Sequence, residues 1–259
     1  MLRTGLKYIA PSEQEVFLSL DLGIISNKGP LMKNIKRILN RGLIVSCQAL
    51  KGEPLYGSKN MALMAIAAEI GGAVGIRANT PQDIGAIKKC VKIPIIGLYK
   101  IEYPKCDVYI TPTKESAKKV ALAGAEIIAI DATNRTRPKG LTAKELIDYI
   151  HNILNKYVMA DISTYEEGLK AAEMGADLVA TTLSGYTPYS PKMDKPDLIL
   201  VKKLANKLRV PIIAEGKIKN PEDAAKAIEN GAYAVVVGSA ITRPQRIAAW
   251  FVEAINKTL

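Results

Sequence analysis

Gly-Ala recurs along this chain at Gly72, Gly124, Gly175 and Gly231, at separations of 52, 51 and 56 residues, each time just ahead of an apolar, β-rich run. Each glycine reads as a helix stop, and each alanine as the small residue that lets the next strand tuck under the helix. Pro-Ile-Ile recurs too, at Pro94 and Pro211, within two of the runs between. In order, the strand candidates are LIVSCQ (43–48), AVGIRA (73–78), IPIIGLYK (93–100), EIIAID (126–131), YVMADI (157–162), LVATTL (178–183), VPIIAEG (210–216) and AVVVGS (234–239). These runs are almost wholly apolar, as strands buried on both faces are. The gaps between them hold amphipathic helical patterns, among them 58–72, 142–154 and 221–231, which end in Gly or begin with Ser, Thr or Asn at the cap position. Gly-Ala marks every second strand and Pro-Ile-Ile marks strands three and seven, so eight equivalent units follow one another. That regularity predicts an α/β fold, a closed (β/α)8 barrel of the TIM type, rather than an open doubly wound sheet. The loop after the first strand, SCQALKGEP, carries no G-x-G-x-x-G dinucleotide turn.

The barrel is assigned to residues 43–259 as a single domain, with residues 1–42 as an N-terminal extension. Within the extension LMKNIKRIL (31–39) predicts a short amphipathic helix covering the barrel floor. Residues 1–30 are left open, either as disordered or as lying upstream of an alternative start. Residues 16–25 are apolar, but Asp21 interrupts them and no small-residue cleavage site follows, so no targeting segment is read there and a cytoplasmic protein is expected. Ten residues are also too few to span a bilayer.

The formal charge is +11, from 36 basic and 25 acidic residues. Seven bases and three acids in residues 1–42 account for +4 of it, and the remainder is interleaved with Glu and Asp along helix faces. A nucleic-acid stripe is more clustered and carries exposed aromatics, so this pattern favours small anionic substrates or plain solubility. Three cysteines without a C-x-x-C pair argue against a disulfide framework or a Cys-based zinc site and suit a reducing compartment. A single histidine, His151, excludes a multi-histidine metal site, and its place on a helix away from the strand ends makes it a surface or packing residue.

In a (β/α)8 barrel chemistry collects at the carboxyl ends of the strands, where the loops meet around one mouth. Here those ends carry Ser46, Gln48, Arg77, Lys100, Asp131, Asp161, Thr181, Thr182, Glu215, Gly238 and Ser239. Lys100 closes an eight-residue apolar run, so desolvation is expected to favour its neutral amine and make it a general base or a Schiff-base nucleophile. The plainer alternative is an ion-paired lysine. Glu215 is the second candidate, with a salt bridge to Lys100 or Arg77 as its plain reading, and Asp161 the third, which could equally cap the helix near Thr164. Gly216, Gly238 and Ser239, after strands seven and eight, suit a phosphate, with Arg243 as a clamp. Residues 184–190 (SGYTPYS) read as a loop over the mouth, with Thr182 and Ser184 at its start contacting substrate. Cys47 is expected to be a small buried residue, since nothing nearby activates it.

Taken together, LIVSCQAL (43–50), GIRA (75–78), PIIGLYK (94–100), YITPT (109–113), IAIDATNRTRP (128–138), MADIST (159–164), TTLSGYTPYS (181–190), IIAEGKI (212–218) and VGSAITRP (237–244) closely resemble the N-acetylmannosamine-6-phosphate 2-epimerase family. The resemblance runs in order from about residue 43 to 257. It implies a (β/α)8 barrel, commonly dimeric, that interconverts N-acetylmannosamine 6-phosphate and N-acetylglucosamine 6-phosphate in amino-sugar and sialic acid breakdown, without redox cofactor or metal. Carried over by position, Lys100 is the family's catalytic base and Glu215 its acidic partner. Gln48, Arg77, Asp161 and Arg243 fall on positions similar to its substrate-binding ones. Two departures stand out: Ile101 follows the lysine where the family usually has Arg, and Lys217 stands where EGR is common.

The implied chemistry needs an open-chain sugar, because the C2 hydrogen becomes removable only when charge can spread onto an aldehyde O1. A carboxyl group, Glu215 or Asp161, would help open the ring, neutral Lys100 would take the C2 proton, and donors near O1 would hold the enolate. The implied partners are a phosphorylated N-acetylated amino sugar and a second copy of the chain, with no nucleic acid and no membrane. Two competing readings are a class I aldolase-like lyase, with Lys100 forming a Schiff base, and a basic nucleic-acid-binding module.

Overall fold

The computed structural model describes residues 35–259. The readings of residues 1–30 and 16–25 lie outside the described residues, as do residues 31–34 of the expected floor helix. Of the expected floor helix, the described part holds a 3-10 turn, Ile35–Arg37, which ends before Leu39. Ile35 and Leu39 are nonetheless buried, packed with Ile44, Ile127 and Ala234 at the amino ends of the strands, and Tyr233 donates from its hydroxyl to the Leu39 carbonyl (2.7 Å).

Eight parallel strands close into a barrel in sequence order. They are β1 (Gly42–Cys47), β2 (Gly75–Asn79), β3 (Ile95–Leu98), β4 (Ile127–Asp131), β5 (Tyr157–Asp161), β6 (Leu178–Ala180), β7 (Ile212–Glu215) and β8 (Ala234–Val237), and β8 pairs back onto β1. The helices between them are α1 (Ser58–Ile70), α2 (Pro81–Lys88), α3 (Lys114–Leu122), α4 (Ala143–Asn152), α5 (Tyr165–Glu173), α6 (Leu198–Lys207) and α7 (Pro221–Glu229). A one-turn helix, α8 (Ser239–Thr242), and the C-terminal α9 (Pro244–Asn256) follow. All eight expected strands are present, each shorter than or shifted from its apolar run by a few residues.

The four Gly-Ala pairs close their helices in one way. Gly124 adopts φ +106°, its N–H donates to Ala121 O (3.1 Å) and the Ala125 N–H to Val120 O (3.5 Å), the paired 5→2 and 6→1 bonds of a left-handed helix stop. Gly72, Gly175 and Gly231 repeat the bonds and the positive φ. At the other ends Thr113, Thr142 and Thr164 cap α3, α4 and α5 in reciprocal capping boxes, and Asn220 caps α7. Ser58 departs from expectation: it is the first residue of α1 rather than its cap, and its hydroxyl donates to Asp83 (2.7 Å).

Two apolar layers follow from the strand period of two. Val45, Cys47, Ile76, Ile128, Ile130, Val158 and Val235 face the helices, while Ile44, Ile96, Leu98, Ile127, Ala129, Met159, Leu178, Ile213 and Val236 fill the barrel. Cys47 is fully buried, and burial pushes its thiol up to about 12. His151 pairs with Asp177 (Nε2 to Oδ2, 2.8 Å), which also accepts from the Val158 amide, the packing role expected of it.

Candidate active site

The inward register that packs the barrel also delivers its polar mouth. Two residues beyond Gly75 stands Arg77; beyond Met159, Asp161; beyond Ile213, Glu215; and beyond Ile44, Ser46 and then Gln48. Lys100 follows Leu98 by the same step, although β3 itself ends at Leu98. Its amide donates to Asn79 Oδ1 (2.9 Å), and Lys100 pairs antiparallel with Ile110 across a short excursion of the chain. That excursion is closed by Ile101 N–H to Tyr109 O (3.0 Å) and Thr111 N–H to Tyr99 O (3.0 Å). Thr111 is buried at φ +43°, a costly conformation for a β-branched residue, while its Oγ1 accepts from Tyr99 N–H (3.1 Å).

Arg77 is the hub. It is 1 % exposed, and its guanidinium grips Asp161 with two bonds (Nη1 to Oδ1 3.0 Å, Nη2 to Oδ2 2.6 Å) and Glu215 with a third (Nη1 to Oε2 2.8 Å). Thr182 Oγ1 lies 2.6 Å from Asp161 Oδ1 and 3.1 Å from Glu215 Oε2, and Thr181 Oγ1 braces the Glu215 backbone from both sides. Burial opposes the charge on Arg77, but Asp161 and Glu215 outweigh it and hold the guanidinium above its ordinary value. Burial pushes the Glu215 carboxyl up to about 7, with Asp161 adding to the rise while Arg77 opposes it. Burial draws Lys100 down to about 8, aided by the Arg77 charge and resisted by Glu215. Among the described residues Lys100 has no side-chain hydrogen-bond or ion-pair partner, so the plain reading of it as an ion-paired lysine finds no support there.

These groups line a cavity of about 510 Å³, a size that suits a small-molecule ligand. Lys100, Glu215, Arg77, Gln48, Thr182, Gly216, Gly238, Ser239 and Arg243 all reach its wall. Two expected contacts do not. Asp161 is fully buried behind Arg77, and neither does it cap α5, whose cap is Thr164. Ser184 turns away, because its hydroxyl donates to Asp197 (2.8 Å), the cap of α6. The loop at 184–190 does cover the mouth, but through Tyr186, whose ring lies 4.7 Å beneath the Lys217 ammonium. Asp131 ends its strand away from the cavity, held by Arg135 and Thr133.

Sequence reasoning missed part of the wall, namely Tyr109, Lys219, Arg246 and Trp250, and met Tyr186 only within the 184–190 loop and Lys217 only as a departure from the family. Lys217, Lys219 and Arg246 line the cavity together with Arg243, Gly216, Gly238 and Ser239. The IIAEGKIK and ITRPQR strings hold those cations at strand ends seven and eight, which was the available signal. Gln48 Oε1 and Arg77 Nε are buried without a hydrogen-bond partner. Among the described residues no group of three or more His, Cys, Asp or Glu side chains could hold a metal ion, and no helix is long and apolar enough to cross a membrane.

Comparison with known proteins agrees with this geometry. Residues 61–257 match the family described as "Putative N-acetylmannosamine-6-phosphate epimerase". A relative from Caldanaerobacter subterraneus subsp. tengcongensis, named "Putative N-acetylmannosamine-6-phosphate 2-epimerase", is 57 % identical over 231 residues, 88 % of this chain and 96 % of its own. One of the same name from Clostridioides difficile is 53 % identical over 83 % of this chain and 96 % of its own. The solved N-acetylmannosamine-6-phosphate 2-epimerase of Clostridium perfringens superposes with a TM-score of 0.83 at 46 % identity, covering 86 % of this chain and 97 % of that one. The chain belongs to the N-acetylmannosamine-6-phosphate 2-epimerase family.

Proposed function

We propose that the 510 Å³ cavity interconverts N-acetylmannosamine 6-phosphate and N-acetylglucosamine 6-phosphate by removing and returning the C2 proton of the open-chain sugar. The observation that carries this reading is an unbonded lysine, Lys100, sharing one cavity with a Glu215 carboxyl that Arg77 and Thr182 hold in place. Glu215 titrates near neutral pH and so can both accept and donate, as ring opening requires: one proton leaves O1 and one reaches O5. Asp161 has no route to the sugar and acts through Arg77, fixing its fork so that Nη1 meets Glu215. Neutral Lys100 then takes the C2 proton, the electron pair spreads to O1, and Arg77 supplies positive charge beside the enolate. Return of a proton to the opposite face inverts C2 with no net oxidation. At the far end Gly216, Gly238 and Ser239 offer backbone amides to the phosphate, and Arg243 a guanidinium. Lys217 brings a second cation where the family commonly has Arg.

The catalytic unit is the barrel assigned to residues 43–259. The free cysteines Cys47, Cys90 and Cys106 support a cytoplasmic setting, and α9 supports a homodimer, since it has no buried residue and exposes Phe251, Val252 and Ile255. Neither the lyase nor the nucleic-acid reading is favoured by the family.

Proton NMR of N-acetylmannosamine 6-phosphate in deuterium oxide tests the chemistry. Wild-type enzyme is expected to form the C2 epimer and to place deuterium at C2 of both sugars. Lys100→Ala, with its fold verified by circular dichroism, is expected to lose about 10²–10⁴-fold in turnover, the usual share of a positioned base. Undiminished exchange in that variant, or a borohydride-trapped adduct on wild-type Lys100, would overturn the assignment.

A further inference from the structure

Residues 132–137 of the IDATNRTRP string take no part in the proposed reaction, yet they wall a second cavity of about 430 Å³ together with the first turn of α4 and the C-terminal part of α5. None of its lining residues lines the catalytic cavity. Its walls carry four cationic residues, Arg135, Arg137, Lys144 and Lys170, and no acidic one. Two of these charges are already answered: Arg135 donates to Asp131 Oδ2 (2.6 Å) and Lys144 to Asp148 Oδ1 (2.6 Å).

Arg137 is different. It is 4 % exposed, and neither its Nε nor its Nη2 has a hydrogen-bond partner. A buried charged donor without an acceptor is costly, so such groups commonly mark a place where an acceptor binds. The nearby opposing charge, Asp131, is occupied by Arg135 and by the amide and hydroxyl of Thr133. Lys170 stands exposed at the cavity rim with no ion pair. The Thr142 hydroxyl accepts from the Glu145 amide of α4 and donates to the Glu145 carboxylate (2.7 Å), while the Ala143 and Lys144 amides stand at the positive end of that helix along the same wall.

We propose that this cavity is a second anion site, built for a phosphate group and separate from the catalytic one. The guanidinium, the ammonium and the helix start come from three different elements. A tetrahedral phosphate presents oxygens in three directions at once, whereas a planar carboxylate presents two. Its occupant is either inorganic phosphate or the phosphate of a metabolite, and the two share this chemistry.

Isothermal titration calorimetry on the full chain, with inorganic phosphate and with glucose 6-phosphate, counts the sites. Two per chain are expected: one removed by Arg243→Ala, the other weakened about tenfold or more by Arg137→Gln and by Lys170→Glu. The last two variants are expected to keep the wild-type kcat and KM. Lys170 is on the surface, so its variant keeps the test readable if Arg137→Gln fails to fold. Tighter binding of glucose 6-phosphate at the second site identifies a phosphorylated metabolite as occupant, and tighter binding of phosphate identifies the free ion. A single site in wild type, or a second component indifferent to both substitutions, would overturn the proposal.

Discussion

Burial penalises whichever form of a group is charged, so it acts with opposite signs on Lys100 and Glu215. The amine is drawn down to about 8 and the carboxyl pushed up to about 7, although both share one pocket and one set of neighbours. The pH dependence follows from the sign of each. Lys100 works as a base only when neutral, so activity rises as pH climbs through its value; Glu215 works as an acid only when protonated, so activity falls as pH climbs through its own. The expected kcat/KM profile is a bell with its maximum between those two values, and a rate still rising well above pH 8 would remove Glu215 as the acid. Both residues were legible in the sequence because each closes an apolar run. What was not legible is which polar strand ends reach the cavity. Asp161 and Glu215 end their strands alike, yet the Arg77 fork buries the first and leaves the second 14 % exposed. Ser184 is lost to Asp197, thirteen residues on, a partner no local pattern announces.

At the level of elements, the eight strands and most helices could be read from period and punctuation, since Gly-Ala stops and Thr caps act locally. The excursion between β3 and β4 could not, because its turn depends on Thr111 holding a left-handed φ that a threonine ordinarily avoids. Gly97 is a further constraint of this kind. It sits in the middle of β3, and a Cβ there would lie 2.7 Å from both Ala125 Cβ and Val120 Cγ1, and 2.9 Å from Ile84 Cδ1. The glycine lets α2 and α3 close onto the strand that leads to Lys100. Gly97→Ala is expected to cost about 1–3 kcal/mol through overpacking, seen as a lower urea midpoint with an unchanged slope. Gly175→Ala makes the contrast: nothing lies within 4 Å of that Cβ, so its cost is backbone strain alone and should be about 1 kcal/mol. Equal midpoints for Gly97→Ala and wild type would mean that the helices shift aside freely.

For the whole molecule, part of the net charge of +11 lies along one cavity, whose wall carries Arg77, Lys100, Lys217, Lys219, Arg243 and Arg246 beside one lining carboxylate, Glu215. The sequence said less about α9. Its apolar residues look like those of any barrel helix that packs inward, and only the folded chain shows that none of them is buried. Phe251 is 68 % exposed, with Val252 and Ile255 beside it, at the end of the element that also carries Arg246 and Trp250 into the catalytic cavity. An apolar face of this kind is one that an interface with a second copy of the chain would cover. Sedimentation equilibrium is therefore expected to give roughly twice the chain mass of 28.0 kDa for wild type and the single mass for Phe251→Glu combined with Ile255→Glu. Because α9 supplies two residues of the mouth, loss of the dimer should raise KM for the phosphorylated sugar more than it lowers kcat. A wild-type monomer at micromolar concentration would leave this face without the partner assigned to it. A double variant that remains a dimer would place the interface on another surface of the barrel.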